Sequence, residues 1–204
     1  MLKRFFDITA CLVALLFLLP FIAVVAIIIK VNSSGPVFYR GWRTGLAGKP
    51  FRIFKFRTMV IDAEMIGGPS TALNDSRLTG IGKFLRKYKI DELPQLINIL
   101  KGEMSFVGPR PQVEKYTKFY NDEEQIILSV RPGLTDYASI KFINLDQILG
   151  DESVDERYLK EIEPEKNRLR MKYAKEHSFW IDIKIILMTL MKMLKIQTLW
   201  NIKD

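Results

Sequence analysis

Two adjacent acids, Asp91 and Glu92, stand in the stretch of sequence with the most chemical content, Gly82 to Pro111, which reads GKFLRKYKIDELPQLINILKGEMSFVGPRP. Arg86, Lys87 and Lys89 precede the pair. Pro94 follows where a first helical turn tolerates proline, so Asp91 is expected at or near a helix N-terminus. Gly108-Pro109-Arg110-Pro111 closes the stretch, and its two prolines restrict the backbone on both sides of Arg110. A helix N-terminus and nearby bases favour an ionised carboxylate and would also receive a phosphate. An ionised aspartate is a competent nucleophile toward phosphorus. Mg2+, a hard ion, would screen the repulsion between carboxylate and phosphate. A plainer reading stands beside this one. Asp91 and Glu92 then serve as an N-cap and a dipole-friendly acid, Arg110 as a surface arginine in a rigid turn, and Lys55 and Arg57 as a solvated strand edge.

Composition narrows the chemistry. The chain has 204 residues, 48% of them hydrophobic and 26% charged, which fits one folded domain with a membrane element and excludes disorder. A single cysteine, Cys11, excludes a disulfide framework and a cysteine-based zinc cluster. A single histidine, His177, argues against a histidine-rich metal site and a Ser-His-Asp hydrolase. The mechanism is left to carboxylates, basic side chains and a hard metal ion. Lys+Arg of 31 against Asp+Glu of 23 gives a net charge of +8, which suits an anionic partner. Neither Gly45-Leu-Ala-Gly48-Lys49 nor Gly80-Ile-Gly82 has the spacing of a nucleotide-binding loop.

The elements that must position these groups begin with an apolar segment. From Ile8 to Ile29 only Thr9 is polar, and at 1.5 Å per residue the segment reaches roughly 33 Å, enough to cross a hydrocarbon core. Lys3 and Arg4 precede it; Lys30, Arg40 and Arg43 follow. Positive charge marks the cytoplasmic side, and here it marks both ends. A helix that enters the bilayer, bends at Pro20 and returns satisfies both; a spanning helix with a tolerated proline satisfies one.

Beyond it, residues 37–57 are expected as a β-hairpin turning at Gly45 and Gly48, with imperfect alternation in the return strand. Residues 60–66, 81–89, 92–101 and 112–130 are expected helical, Gly102 capping the third of these. An acidic stretch, Asp146 to Glu156, leads into a charged helix that Pro164 interrupts or restarts. Phe179 to Trp200 is amphipathic, with Asp182, Lys184, Thr189 and Lys192 on the polar side and Ile185 and Met188 as exceptions. Its apolar face fits either a core or a bilayer interface. The fold class is therefore mixed, mainly α with a small β-hairpin.

At this point the sequence resembles the bacterial sugar transferases, the monotopic phosphoglycosyl transferases of glycan assembly. The matching pieces are KFRTM (Lys55 to Met59), IDELPQL (Ile90 to Leu96), LKGEMSFVGPRP (Leu100 to Pro111) and RPGLT (Arg131 to Thr135), together with the N-terminal segment and FWIDIKII. The resemblance implies a re-entrant membrane helix over residues 1–30, interfacial amphipathic helices, and a catalytic domain over 31–204 on the cytoplasmic face of the bacterial inner membrane. It implies that Asp91 attacks the β-phosphate of a UDP-sugar, releases UMP, and passes the sugar phosphate to polyprenol phosphate. Glu92 would assist the metal or the proton transfer. Arg86 would meet polyprenol phosphate, with Lys55, Arg57, Pro109, Arg110 and Pro111 as further substrate-binding positions. The metal would be Mg2+, or Mn2+, at Asp91. Two departures stand out: Leu19 precedes Pro20 where many relatives carry serine, and Asp136-Tyr-Ala-Ser-Ile140 replaces a Trp-Ala-Gln run. The chain corresponds to a minimal catalytic form.

A magnesium-dependent membrane phosphatase or diphosphate hydrolase, with water as acceptor, is the alternative enzyme. A non-enzymatic basic protein on anionic lipid is the other alternative. Nucleic acid is not an expected partner, because the bases flank one acidic pair rather than forming an aromatic-interleaved stripe. A homodimer is left open, as is the identity of the UDP-sugar.

Overall fold

A computed structural model describes residues 1–67, 75–143, 145 and 154–194. α1 (Leu2–Asn32) leads into four short strands, β1 (Phe38–Tyr39), β2 (Trp42–Thr44), β3 (Pro50–Arg52) and β4 (Lys55–Phe56). Helices α2 (Ala63–Ile66) and α3 (Gly80–Lys87) precede a 3-10 turn over Ile90–Gln95 that runs into α4 (Leu96–Lys101). β5 (Ser105–Val107), α5 (Glu114–Thr117), a second 3-10 turn (Glu124–Ser129), β6 (Gly133–Thr135) and α6 (Tyr137–Lys141) follow. α7 (Val154–Arg157) passes through a π-helical turn (Tyr158–Ile162) into α8 (Glu163–Glu176), and α9 (Phe179–Met193) ends the described chain. The described residues are mainly helical with small sheets, as the sequence pattern requires.

The expected hairpin forms in one register, Phe38 opposite Phe56 and Trp42 opposite Arg52, with ladder pairing lapsing between. The lapse explains the imperfect alternation. The Phe54 N–H leaves the ladder for the Asn98 side chain at 2.8 Å, and the Phe54 ring lies under the Arg40 guanidinium at 3.4 Å. A parallel pair, β5 with β6, was not expected. It needs two glycines: a Cβ on Gly133 would meet the Gly108 nitrogen at 2.2 Å, and one on Gly108 would meet the Arg131 carbonyl at 2.2 Å.

One helix expectation is corrected and one left open is decided. Residues 112–130 are not one helix. Asn121 and Glu124 exchange side-chain and backbone hydrogen bonds of 2.9 and 3.1 Å and start a new turn there. Pro164 restarts rather than interrupts, standing in the first turn of α8. Most of the acidic stretch, residues 146–153, and residues 195–200 of the amphipathic segment lie outside the described residues.

α1 is long and apolar enough to cross a membrane, and it continues through Pro20. One stripe packs inward: Asp7, Cys11, Val25 and Ile29 are buried. Leu12, Leu16, Phe17, Leu19 and Val24 are exposed. Its first turn is tied to the rest of the domain. Lys3 donates to the Val107 carbonyl at 2.9 Å and pairs with Asp182; Arg4 donates to the Ile99 and Leu100 carbonyls at 2.6 and 2.9 Å. Asp7 accepts from the Ser105 hydroxyl at 3.0 Å. Its last turn is tied as well, because Ile29 packs with Phe56 and Leu85.

On α9, the exceptions in the helical wheel turn out to be the inner face. Asp182, Ile185 and Met188 are buried, while Trp180 is 76% exposed and Leu187, Leu190 and Leu194 also face outward. The apolar side of α9 is therefore not a core face.

Candidate active site

The turn that carries the acidic pair is set by backbone geometry. Thr79 caps α3, its hydroxyl accepting from Gly82 N at 3.0 Å. Lys89 then adopts a left-handed conformation, φ 57°, which ends α3 and swings the chain into the 3-10 turn. Ile90 packs against the Phe56 and Leu85 cluster. Asp91 is thereby turned inward, 5% exposed, toward Lys55 on β4. The pair sits on a 3-10 turn rather than at the N-terminus of a regular helix, and Pro94 lies inside that turn.

Asn98 fixes the opposite strand. It is fully buried in α4, bonding Phe54 N, the Arg52 carbonyl at 2.9 Å and Glu103 at 2.7 Å. It thus holds the return strand of the hairpin, and Lys55 with it, against the turn that bears the acids. Arg110 is placed by β5 and β6. Gly133 N donates to the Pro109 carbonyl at 3.0 Å, Gly108 N to the Thr135 carbonyl at 3.0 Å, and Arg110 itself reaches the Leu134 carbonyl at 3.3 Å.

These elements surround a cavity of about 500 Å³, within the size range of small-molecule sites. Lys55, Arg86, Lys89, Asp91, Glu92 and Arg110 line it, as do Pro111 and two residues of α1, Ala14 and Leu18. Pro109 does not line it; its contribution is the carbonyl bond to Gly133. Arg57 does not line the cavity either. Its guanidinium donates to the Ser33 and Ser34 carbonyls at 2.8 and 2.7 Å and to the Ser33 hydroxyl at 2.7 Å, fastening the exit of α1. Pro20 lies at mid-length in α1, exposed.

The two carboxylates differ sharply. Glu92 accepts two bonds from Arg110, one of them at 2.8 Å, and one from Lys55 at 3.0 Å, so both its oxygens are occupied. Asp91 has only Lys55, 3.5 Å from Oδ2, and its Oδ1 is buried without a partner. Burial pushes the Glu92 carboxyl up, but Arg110 and Lys55 outweigh it and hold it well below the usual carboxylate range. Burial pushes the Asp91 carboxyl above its ordinary value, and the charge of Glu92 adds to this against the opposing field of Lys55. The surroundings thus favour the charged form less at Asp91 than at Glu92, because the nearest cations are spent on Glu92. What remains at Asp91 is one desolvated, uncommitted oxygen on a cavity wall, which suits attack on an electrophile or ligation of a hard cation.

Sequence reasoning missed Asn98, Lys166, Arg170 and Ser139. Asn98 alone had a local signal, a polar residue inside the apolar run LINIL.

Because Lys55 favours the ionised form of Asp91, its removal must raise the Asp91 pKa further. Infrared carboxyl titration of Lys55→Met, with Asp91→Asn as the blank, should place the Asp91 transition at higher pH than in the parent. A transition that stays put or moves down contradicts the assignment.

Comparison with known proteins completes the picture. A family model for bacterial sugar transferases matches residues 1–196. The UDP-glucose:undecaprenyl-phosphate glucose-1-phosphate transferase of Escherichia coli (strain K12) is 36% identical over 196 residues, covering 94% of this chain and 40% of that protein. The uncharacterized sugar transferase EpsL of Bacillus subtilis (strain 168) is 36% identical over 193 residues, covering 95% of this chain and 87% of that protein. The UDP-N-acetylgalactosamine-undecaprenyl-phosphate N-acetylgalactosaminephosphotransferase of Aeromonas hydrophila is 33% identical over 195 residues, covering 92% of this chain and 42% of that protein. The chain thus spans about two fifths of the length of the E. coli and A. hydrophila relatives. With a family match that takes in the hairpin, the acidic pair and both strands that place Arg110, the chain belongs to the bacterial sugar transferase family.

Proposed function

We infer that the chain transfers a sugar phosphate from a UDP-sugar to polyprenol phosphate, giving polyprenol diphosphate sugar and UMP. The observation that carries this is the free buried oxygen of Asp91 in a cavity whose wall includes Ala14 and Leu18 of the apolar helix. That wall adjoins the apolar helix, which suits a membrane-bound acceptor. The same feature favours a lipid acceptor over water, and so a transferase over a hydrolase. The names of the E. coli and A. hydrophila relatives, which specify undecaprenyl phosphate, agree with it.

The reaction runs in two displacements. Asp91 Oδ1 forms a bond to the β-phosphorus, and the bond from that phosphorus to the bridging oxygen breaks, UMP leaving with the electron pair. A phosphate oxygen of the lipid then attacks the same phosphorus, and the Asp91 carboxylate is released. Arg110 and Lys55, locked on Glu92, present fixed positive charge to the phosphoryl oxygens without reorganising. Glu92 positions those cations and has no lone oxygen with which to act as a base. Among the described residues no three His, Cys, Asp or Glu side chains group together, so an all-protein metal cage is absent there. Asp91, with one oxygen uncommitted and the other in a long 3.5 Å contact with Lys55, fits a metal held by one carboxylate together with phosphate oxygens and water, as Mg2+ prefers. Mg2+ bound at Asp91 would neutralise phosphate charge as the carboxylate approaches.

A screen of UDP-sugars with undecaprenyl phosphate should find one that releases UMP and yields a lipid-linked product, with activity lost in EDTA and restored by Mg2+ or Mn2+. UMP or sugar phosphate accumulating with no lipid product would support the hydrolase instead. Full activity after rigorous chelation would remove the metal from the account.

The same reading places the protein on the cytoplasmic face of a bacterial inner membrane, with α1 re-entrant. Support comes from its two ends. Lys3 and Arg4 are bonded to residues 99–107 and 182, and Ser33 and Ser34 to Arg57, all parts of one domain. A spanning helix would break one set and place basic residues on the wrong side. The exposed apolar face of α9 would lie in the interface. Single cysteines at positions 2 and 34, in a variant lacking Cys11, should both be labelled from the cytoplasmic side. Labelling of position 2 from the opposite side alone contradicts re-entry. Pro20→Leu should shift the population toward a spanning form.

A further inference from the structure

The part of the cavity wall built by α6 and α8 carries polar side chains that the transfer chemistry does not use. Lys166 and Arg170 stand one turn apart on α8, and Ser139 of α6 lines the same cavity. Lys166 is only 7% exposed. Its ammonium lies over the rings of Tyr158 and Phe142, 4.9 and 5.7 Å from their centres, with no hydrogen-bond or ion-pair partner among the described residues. Arg170 commits Nη1 to Glu163 and Asn167 at 2.8 and 2.7 Å, while its Nε and Nη2, beside the Tyr120 and Tyr158 hydroxyls, are buried without a well-formed bond. The Ser139 hydroxyl is also buried and unpartnered, while its backbone N–H is held by Asp136 at 2.7 Å.

Buried donors without acceptors are rare in folded proteins and mark a place for a ligand. A buried ammonium without a counter-ion is costlier still, so it loses its proton or acquires an anion. Burial, and next the like charge of Arg170, push Lys166 down to about 7, with Arg110 adding to this and Glu163 and Asp136 opposing. The other cations that bond across this cavity are engaged, Lys55 and Arg110 on the acidic pair. Among the described residues Lys166 has no such partner.

We propose that Lys166, with Ser139 and Arg170 in the same wall, binds the α-phosphoryl oxygens of the donor's nucleoside diphosphate, on the side that departs. This rests on the transfer reading above. Phosphate oxygens could come from the nucleotide or from the lipid. The nucleotide is favoured because α8 packs on α6 and on the Glu124–Ser129 turn, whereas the residues that α1 gives the cavity are apolar.

The test is calorimetric titration of the full chain in detergent with UDP, comparing the parent with Lys166→Met, Lys166→Arg and Ser139→Ala. Lys166→Met keeps the stem on the two rings and should weaken UDP binding at least tenfold. It should raise the KM for the UDP-sugar by a similar factor and leave the KM for polyprenol phosphate unchanged. Lys166→Arg should recover most of the affinity, and Ser139→Ala should lose about threefold. Unchanged UDP affinity in a folded Lys166→Met overturns the proposal, as does a shift confined to the lipid KM. If that variant does not fold, unaltered affinity in Ser139→Ala overturns it. Titration needs no turnover, so the two readings separate. A parent that binds UDP through Lys166 yet releases no UMP contradicts the reaction alone. Normal UDP binding by Lys166→Met in a protein whose parent releases UMP contradicts this site alone.

Discussion

Glu92 is saturated, and the rest of the site depends on that. Its two oxygens take Arg110 and Lys55 together; the Glu92 side chain is 13% exposed, those of Lys55 and Arg110 22% and 31%. Two consequences follow. The positive charges stay at fixed positions in an environment where charge acts over distance. Asp91, next in sequence, is left with a single weak contact and one free oxygen. Removing one partner of such a half-buried cluster leaves the remaining charge stranded and destabilises the site. The pair is thus a division of labour between neighbours of nearly identical chemistry, made by which carboxylate the cations can reach.

The surrounding fold maintains that difference. Asn98 keeps the strand of Lys55 in place, and the two glycines of β5 and β6 let the backbones close enough to carry Arg110 to Glu92. The Lys3, Asp182 and Tyr173 cluster joins the first turn of α1 to α8 and α9, with the Tyr173 hydroxyl donating to Asp182 Oδ1 at 2.7 Å and Lys3 pairing with the other oxygen. The apolar helix is therefore part of the domain's packing rather than a separate anchor, and it contributes Ala14 and Leu18 to the cavity.

Much of this was legible in the sequence because it rests on local chemistry. The acidic pair among bases, the prolines around Arg110, the hairpin and the amphipathic last helix each carry their signal within a few residues. The misses have physical reasons. β5 and β6 are three residues each and pair across nearly thirty positions, leaving no periodicity to read. Arg57 sits in the same short segment as Lys55, yet its side chain is drawn off by the carbonyls at the end of α1. Lys166 and Arg170 look like a solvated helix face in sequence, and only the packing of α8 buries them. The difference between the two carboxylates was not legible because the cations that bond them, Lys55 and Arg110, are distant in sequence and both serve Glu92 first.

The central claim is that the free oxygen of Asp91 becomes covalently bonded to phosphorus. Intact-protein mass spectrometry after incubation with a productive UDP-sugar and no lipid acceptor tests it directly, with peptide mapping to place the modification. The account predicts a mass gain of one sugar phosphate on Asp91, absent in Asp91→Asn and still trappable in Glu92→Gln. UMP release without any adduct, or an adduct on Glu92, would contradict it.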